Sequence, residues 1–205
     1  FGVLQKEKIK KIKSNIHLLT LSATPIPRTL HMSLIGIRDL SLIKTPPVDR
    51  KNIITRVCRF EKSIIRKAIS DEKIRNGQIF LIVPRIKDII DIIKNLKIIY
   101  PNLKYQIAHG KLKPNEIEFA MTQFYNGEVD LLISTSIVES GLDIPRANTL
   151  IVYKANNFGL AQLHQLRGRI GRSNEIGYAY FTIDKNNISE NAILRLKALQ
   201  AMDSL

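Results

Sequence analysis

Gln165, Arg167, Gly168, Arg169, Gly171 and Arg172 fall within eight consecutive residues. Guanidinium groups this close repel one another, so a nearby anion is the natural counterweight. The planar fork of arginine matches a pair of phosphate oxygens, and glycine lets a backbone approach a ligand closely or take positive φ. The competing explanation is a solvated basic loop. A second group lies over 134–145, where Ser134, Thr135, Glu139, Gly141 and Asp143 follow the apolar run 131–133. Open α/β sheets bind ligands just beyond such a run, although Gly141 to Asp143 alone could be an ordinary turn. A third group, Ser22, Ala23 and Thr24, follows the apolar run 16–21, and Pro25 and Pro27 exclude a continuing central strand. Two smaller candidates also end apolar runs. They are Arg85, after Pro84, and His109 with Lys111, where Gly110 opens the backbone and the lysine can pair with a phosphate or simply sit in a solvated turn. His109 has no companions at metal-ligand spacing, so no metal site is expected in this chain. Cys58 stands alone, which excludes an internal disulfide and suits a small buried hydrophobe.

The elements that must hold these residues follow a regular rhythm after residues 44–50, the best linker candidate, whose Pro46–Pro47 pair extends the chain. Strands are expected over 53–60, 78–83, 104–109, 130–134, 149–153 and 178–183. Helices are expected over 62–75, 87–99, 114–125 and 160–167, and again from 187 to the end. Strands that alternate with amphipathic helices imply βαβ units and a mostly parallel sheet. The runs 79–83 and 131–133 are apolar on both faces, as buried parallel strands should be. Before the linker, helices are expected over 5–15 and 29–36, and strands over 16–21 and 39–43.

The chain has 205 residues, 44% of them hydrophobic, enough for one full domain and part of another. Its net charge of +14 suggests a polyanionic partner, nucleic acid or an anionic surface. Codon bias towards Ile, Lys and Asn would raise the charge without any ligand. Most of the excess lies in the first hundred residues, so phosphate contact should be local. No apolar run approaches the length of a membrane span, no signal peptide is visible, and the cytoplasm is the expected location.

The segment Gln165 to Arg172 resembles motif VI of the superfamily-2 helicases. The resemblance implies that Arg172 is an arginine finger for the γ-phosphate of ATP, with Arg169 as its partner and with Gln165 and Gly168 on the nucleotide side. Residues 134–145 resemble motif V, which implies that Thr135 contacts a DNA phosphate while Gly141 and Asp143 approach the nucleotide. Ser22, Ala23 and Thr24 resemble motif III, which couples hydrolysis to DNA movement. Residues 24–29 narrow the likeness to the branch that contains RecG and the transcription-repair coupling translocases. Arg85 resembles part of motif IV, and His109 with Lys111 the motif after it, which implies further DNA contacts.

The resemblance covers nearly the whole chain. It implies the C-terminal end of a first RecA-like domain over 1–46, a second RecA-like domain over 47–185, and the start of a helical coupling hairpin over 186–205. The fold expected is α/β, a RecA-like parallel sheet with helices on both faces. ATP with Mg²⁺ would lie between the two lobes. Residues 1–3 follow the Mg²⁺-binding acidic box in this branch, and no phosphate-loop motif is present, so the metal ligands are expected outside the chain. Residues 37–41, 45–47 and 157–173 favour the coupling translocases over RecG. The implied role is displacement of stalled RNA polymerase along double-stranded DNA and recruitment of UvrA, both through modules outside this chain and with no membrane partner. A RecG-like fork-remodelling helicase and a non-catalytic nucleic-acid-binding remnant remain the alternatives.

Overall fold

The computed structural model describes residues 53–135, 144–171, 175–183 and 188–201. The expected elements before residue 53 lie outside the described residues. The fold concerns the second of the chain's two units, Leu42–Leu205. In chain order it comprises β1 (Ile53–Arg59), α1 (Lys62–Ile74), β2 (Gln78–Ile82), α2 (Ile86–Ile99), β3 (Tyr105–Ala108), α3 (Pro114–Tyr125), β4 (Leu131–Ser134) and β5 (Ala147–Val152). A short 3₁₀ turn (Ala155–Asn157), α4 (Leu160–Arg167), β6 (Gly177–Ile183) and α5 (Glu190–Ala201) follow.

The strands form one sheet in the order β1-β6-β5-β2-β4-β3, and every neighbouring pair is parallel. Handedness then dictates the layers. The chain advances across the sheet from β1 through β2 to β3 and then returns through β4 and β5 to β6. Right-handed crossovers in opposite directions place their helices on opposite faces. Accordingly α1 and α2 cover one face, where Ile65, Ile69, Ile92 and Leu96 pack with Ile79, Leu81, Leu131, Ile133 and Ile151. On the other face, Met121 and Phe124 of α3, Leu163 of α4, and Leu196 and Leu199 of α5 pack with Phe80, Ile82, Leu132, Leu150, Val152 and Phe181. The strands contribute to the two faces alternately, with the period of two that a pleated strand requires.

Strand β5 begins earlier than the sequence suggests, because Ala147 and Asn148 are buried and Ala147 pairs with Gln78 across a register shift. Gln78 is itself buried, and its Nε2 donates to the carbonyls of Phe124 (2.6 Å) and Val129 (2.8 Å), which ties the end of α3 to the sheet. Helix α3 starts at Pro114, where proline's missing N–H costs nothing, and the Glu116 carboxylate accepts from the Lys113 N–H at 2.7 Å.

Candidate nucleotide and nucleic-acid interface

The reversal of chain direction makes a switch point. Strand β2 leads into α2 on one face, while its neighbour β5 leads on to α4 on the other. A crevice at the carboxyl ends of these strands is where open α/β sheets bind ligands. The structure brings Arg85, Thr135, His109 and Lys111 together along this carboxyl edge, at the ends of β2, β4 and β3 respectively. Ala108 and Ser134 are register partners, so His109 and Thr135 leave the sheet side by side.

Ser134 and Thr135 are buried, yet neither hydroxyl has a hydrogen-bond partner among the described residues, and the same holds for Nδ1 of His109. Buried hydroxyls without partners are costly. Their concentration at the ends of two adjacent strands marks a place where an incoming oxygen would be accepted. Lys111 is exposed beside them.

Arg85 caps the start of α2 and is half-exposed. Its Nε and Nη2 donate to the two carboxylate oxygens of Asp88 at 2.8 and 3.3 Å. Lys154, just past the end of β5, donates to the same carboxylate at 3.1 Å. Burial alone would raise the Asp88 carboxyl, but the hydrogen bonds and charges of Arg85 and Lys154 outweigh it and hold the group below its ordinary value. Burial disfavours the Lys154 ammonium, yet Asp88 and Tyr153 carry it above its ordinary value. Sequence reasoning missed Asp88 and Lys154. The signal available was a basic and an acidic residue three apart across a helix start. Lys154 carried none, because its pairing is long-range.

The motif VI candidates lie elsewhere. Helix α4 runs back from the carboxyl edge and ends at Gly168, whose N–H bonds the His164 carbonyl at 2.9 Å. Ile170 is buried in the core, and Gly171, at φ +65°, packs against Ile53 and Gly177, the first residues of β1 and β6. Gln165, Gly168 and Arg169 therefore sit near the edge where the strands begin. Gln165 is exposed and Arg169 partly so. Residues 144–146 enter β5 at this same edge, where the Arg146 carbonyl accepts the Gln78 N–H at 2.7 Å. Arg172, Gly141, Asp143, Ser22, Ala23 and Thr24 lie outside the described residues.

The two glycines before and after Arg169 differ in kind. A side chain at Gly171 would meet Ile53 Cγ1 at 2.9 Å and would need left-handed backbone. A Cβ at Gly168 would meet nothing closer than two carbonyl oxygens at 3.5 Å, on ordinary helical backbone. The fold thus requires Gly171 but not Gly168. Gly168 lies beside Gln165 and Arg169 with room for a Cβ.

Such a doubly directed parallel sheet is a RecA-like lobe. The helicase conserved C-terminal domain family matches residues 61–174, and the chain belongs to that family. Its curated relatives include the transcription-repair-coupling factor of Rickettsia prowazekii (strain Madrid E), 52% identical across the whole chain, and that of Bacillus subtilis (strain 168), 48% identical across the whole chain. The chain spans 18% of the length of each. Among solved structures, RecG bound to a three-way DNA junction matches at 30% identity and TM-score 0.72, over 93% of this chain and 28% of RecG. Saccharomyces cerevisiae Dbp5 bound to RNA and ADP BeF3 matches at 19% identity and TM-score 0.67, over 96% of this chain and 52% of Dbp5, a likeness of fold alone.

Proposed function

We propose that the chain is the second motor lobe of an ATP-driven double-stranded-DNA translocase that couples transcription to excision repair. The observation that carries this reading is the division of the phosphate-seeking residues between opposite edges of one sheet. The carboxyl edge offers neutral hydroxyls, an imidazole and cations to a nucleic-acid backbone. Backbone contact carries no sequence information, as suits a motor on arbitrary sequence. The strand-start edge offers Gln165, Gly168 and Arg169 to a nucleotide whose phosphates and Mg²⁺ another lobe would hold. ATP supplies the free energy when bound there. This chain's part is to place Arg169 and Arg172 against the terminal phosphate, where an arginine finger contributes roughly 10³- to 10⁵-fold in rate. Loss of that phosphate removes the ligand that draws the arginines in.

The coupling-factor relatives at 46–52% identity support this role over RecG-like fork remodelling. RNA polymerase and UvrA would be met by modules outside the chain, in the cytoplasm. No helix among the described residues is long and apolar enough to cross a membrane.

The test is made in the intact protein. Arg172→Ala should abolish DNA-stimulated ATP turnover while leaving ATP affinity largely intact. Lost affinity with normal turnover at saturation would sink the finger role. The purified chain alone should not hydrolyse ATP with or without DNA, and measurable turnover would show that the nucleotide site is complete within it.

A further inference from the structure

Asp88 sits at the third position of α2, where an acid complements the helix dipole. That accounts for one carboxylate but not for its two partners. Both oxygens are engaged: Oδ2 by Arg85 Nε, and Oδ1 by Arg85 Nη2 and by Lys154 Nζ. The acid is 3% exposed while the Arg85 side chain is 53% exposed. An ion pair this open adds little stability, and desolvating the acid opposes what it does add. The open Arg85 arm therefore does little to hold the fold, whereas Lys154, 17% exposed, closes the acid from the other side.

The Lys154 backbone is left-handed, at φ 51° and ψ 52°, a conformation that glycine or asparagine adopts more readily. A lysine there sets its ammonium against Asp88 and over the Tyr153 ring, 4.9 Å from the centroid. Arg85 is gripped along its Nε and Nη2 side. This fixes the guanidinium plane and turns Nη1 and the outer hydrogen of Nη2 away from the carboxylate. A second acceptor with paired oxygens matches that outer fork.

We propose that Asp88 is a positioning residue for a backbone phosphate, gathering Arg85 from the end of β2 and Lys154 from the end of β5 into one cationic lip over the switch point. The trio carries a net charge of +1, and its outward-facing part is arginine. The role rests on the reading of the carboxyl edge as the nucleic-acid side.

Charge arithmetic gives the test its sign. Removing an acid from a DNA-binding edge makes that edge more positive, so a purely Coulombic role for Asp88 predicts tighter binding and a steeper salt dependence. A positioning role predicts the reverse. Binding of a labelled DNA duplex to the intact protein is measured across a salt series for the wild type, Asp88→Asn and Arg85→Ala, with thermal melting of each. Asp88→Asn is expected to weaken binding by about five-fold, with a log–log salt slope shallower by up to about one, as for loss of one phosphate contact. Arg85→Ala should weaken it at least as much. Weakening by Arg85→Ala with unchanged or tighter binding by Asp88→Asn overturns the positioning role alone. Binding indifferent to Arg85→Ala overturns the reading of the edge, and the positioning role with it. If Asp88→Asn does not fold, Lys154→Met carries the test. It removes one arm of the lip, the same loss of affinity is expected, and an unchanged affinity overturns the proposal.

Discussion

Gly168 and Gly171 stand three residues apart and obey different constraints. At Gly171 the left-handed backbone and the 2.9 Å approach to Ile53 both exclude a side chain. Gly171→Ala should cost about 1–2 kcal/mol in urea or thermal unfolding. Gly168→Ala should leave stability within about 0.5 kcal/mol of wild type, since its Cβ would meet nothing closer than 3.5 Å, and under the proposed function it should still impair ATP turnover in the intact protein. Equal destabilisation by both would remove the argument for a ligand at Gly168. A second residue-scale case is Glu72, buried at the strand-start edge, with hydrogen bonds from Thr149 Oγ1 and Arg75 Nη2. Burial, partly offset by those two partners, raises its carboxyl above the ordinary 4.5. The folded state then holds the proton more tightly than the unfolded one. The Glu72 contribution to stability is thus fully present below about pH 4.5 and is lost as pH rises through the raised value. Glu72→Gln cannot ionise, so unfolding measured at pH 5 and pH 8 should show the variant gaining on wild type at the higher pH. A constant gap would mean that the carboxyl titrates normally. Nothing in the sequence announced this residue: it falls inside the expected helix 62–75, and only its pairing with Thr149, 77 residues on, reveals it.

At the scale of elements, the sequence was informative wherever period and composition agreed. The fully apolar runs of β2 and β4 and the proline start of α3 lie where local rules put them. What local rules could not supply was the strand order, because the return through β4, β5 and β6 is decided by long-range packing. The start of β5 was equally hidden, since neither Ala147 nor Asn148 favours a strand until Ala147 pairs with Gln78 across a register shift. Helix α5 makes the same point. Leu196 and Leu199 are buried in the core shared by α3 and α4, and Ala192 is buried beside them, which no local rule announces. Arg167 Nη1 also donates to the Leu199 carbonyl at 3.3 Å, and Arg195 Nη2 to that of Asn156 at 3.2 Å. Leu199→Ala should therefore cost about 2–5 kcal/mol in equilibrium unfolding, whereas Leu194→Ala, on the exposed side of the same helix, should stay within about 0.5 kcal/mol. Equal small effects would show that α5 is an appendage.

At the scale of the whole molecule, the proposed function assigns phosphate contacts to residues at opposite ends of one close-packed sheet. Packing of this kind resists continuous deformation, as a lobe that moves as one body would require. The separation predicts that DNA contact and nucleotide chemistry can be damaged independently. Thr135→Val removes one hydroxyl from the carboxyl edge at nearly constant volume. In the intact protein it should weaken duplex binding several-fold, and it should leave ATP turnover near wild type once DNA is saturating. The fold should tolerate it, because the Thr135 Oγ1 has no partner among the described residues to lose. Arg169→Ala should do the opposite, with duplex affinity retained without nucleotide and turnover reduced at every DNA concentration. Steady-state ATPase titrated with duplex separates the two, since Thr135→Val shifts the DNA concentration for half-maximal rate and Arg169→Ala lowers the plateau. If both variants moved the same parameter, the two edges would belong to one site and the motor would have to work by direct contact between its two phosphate ligands.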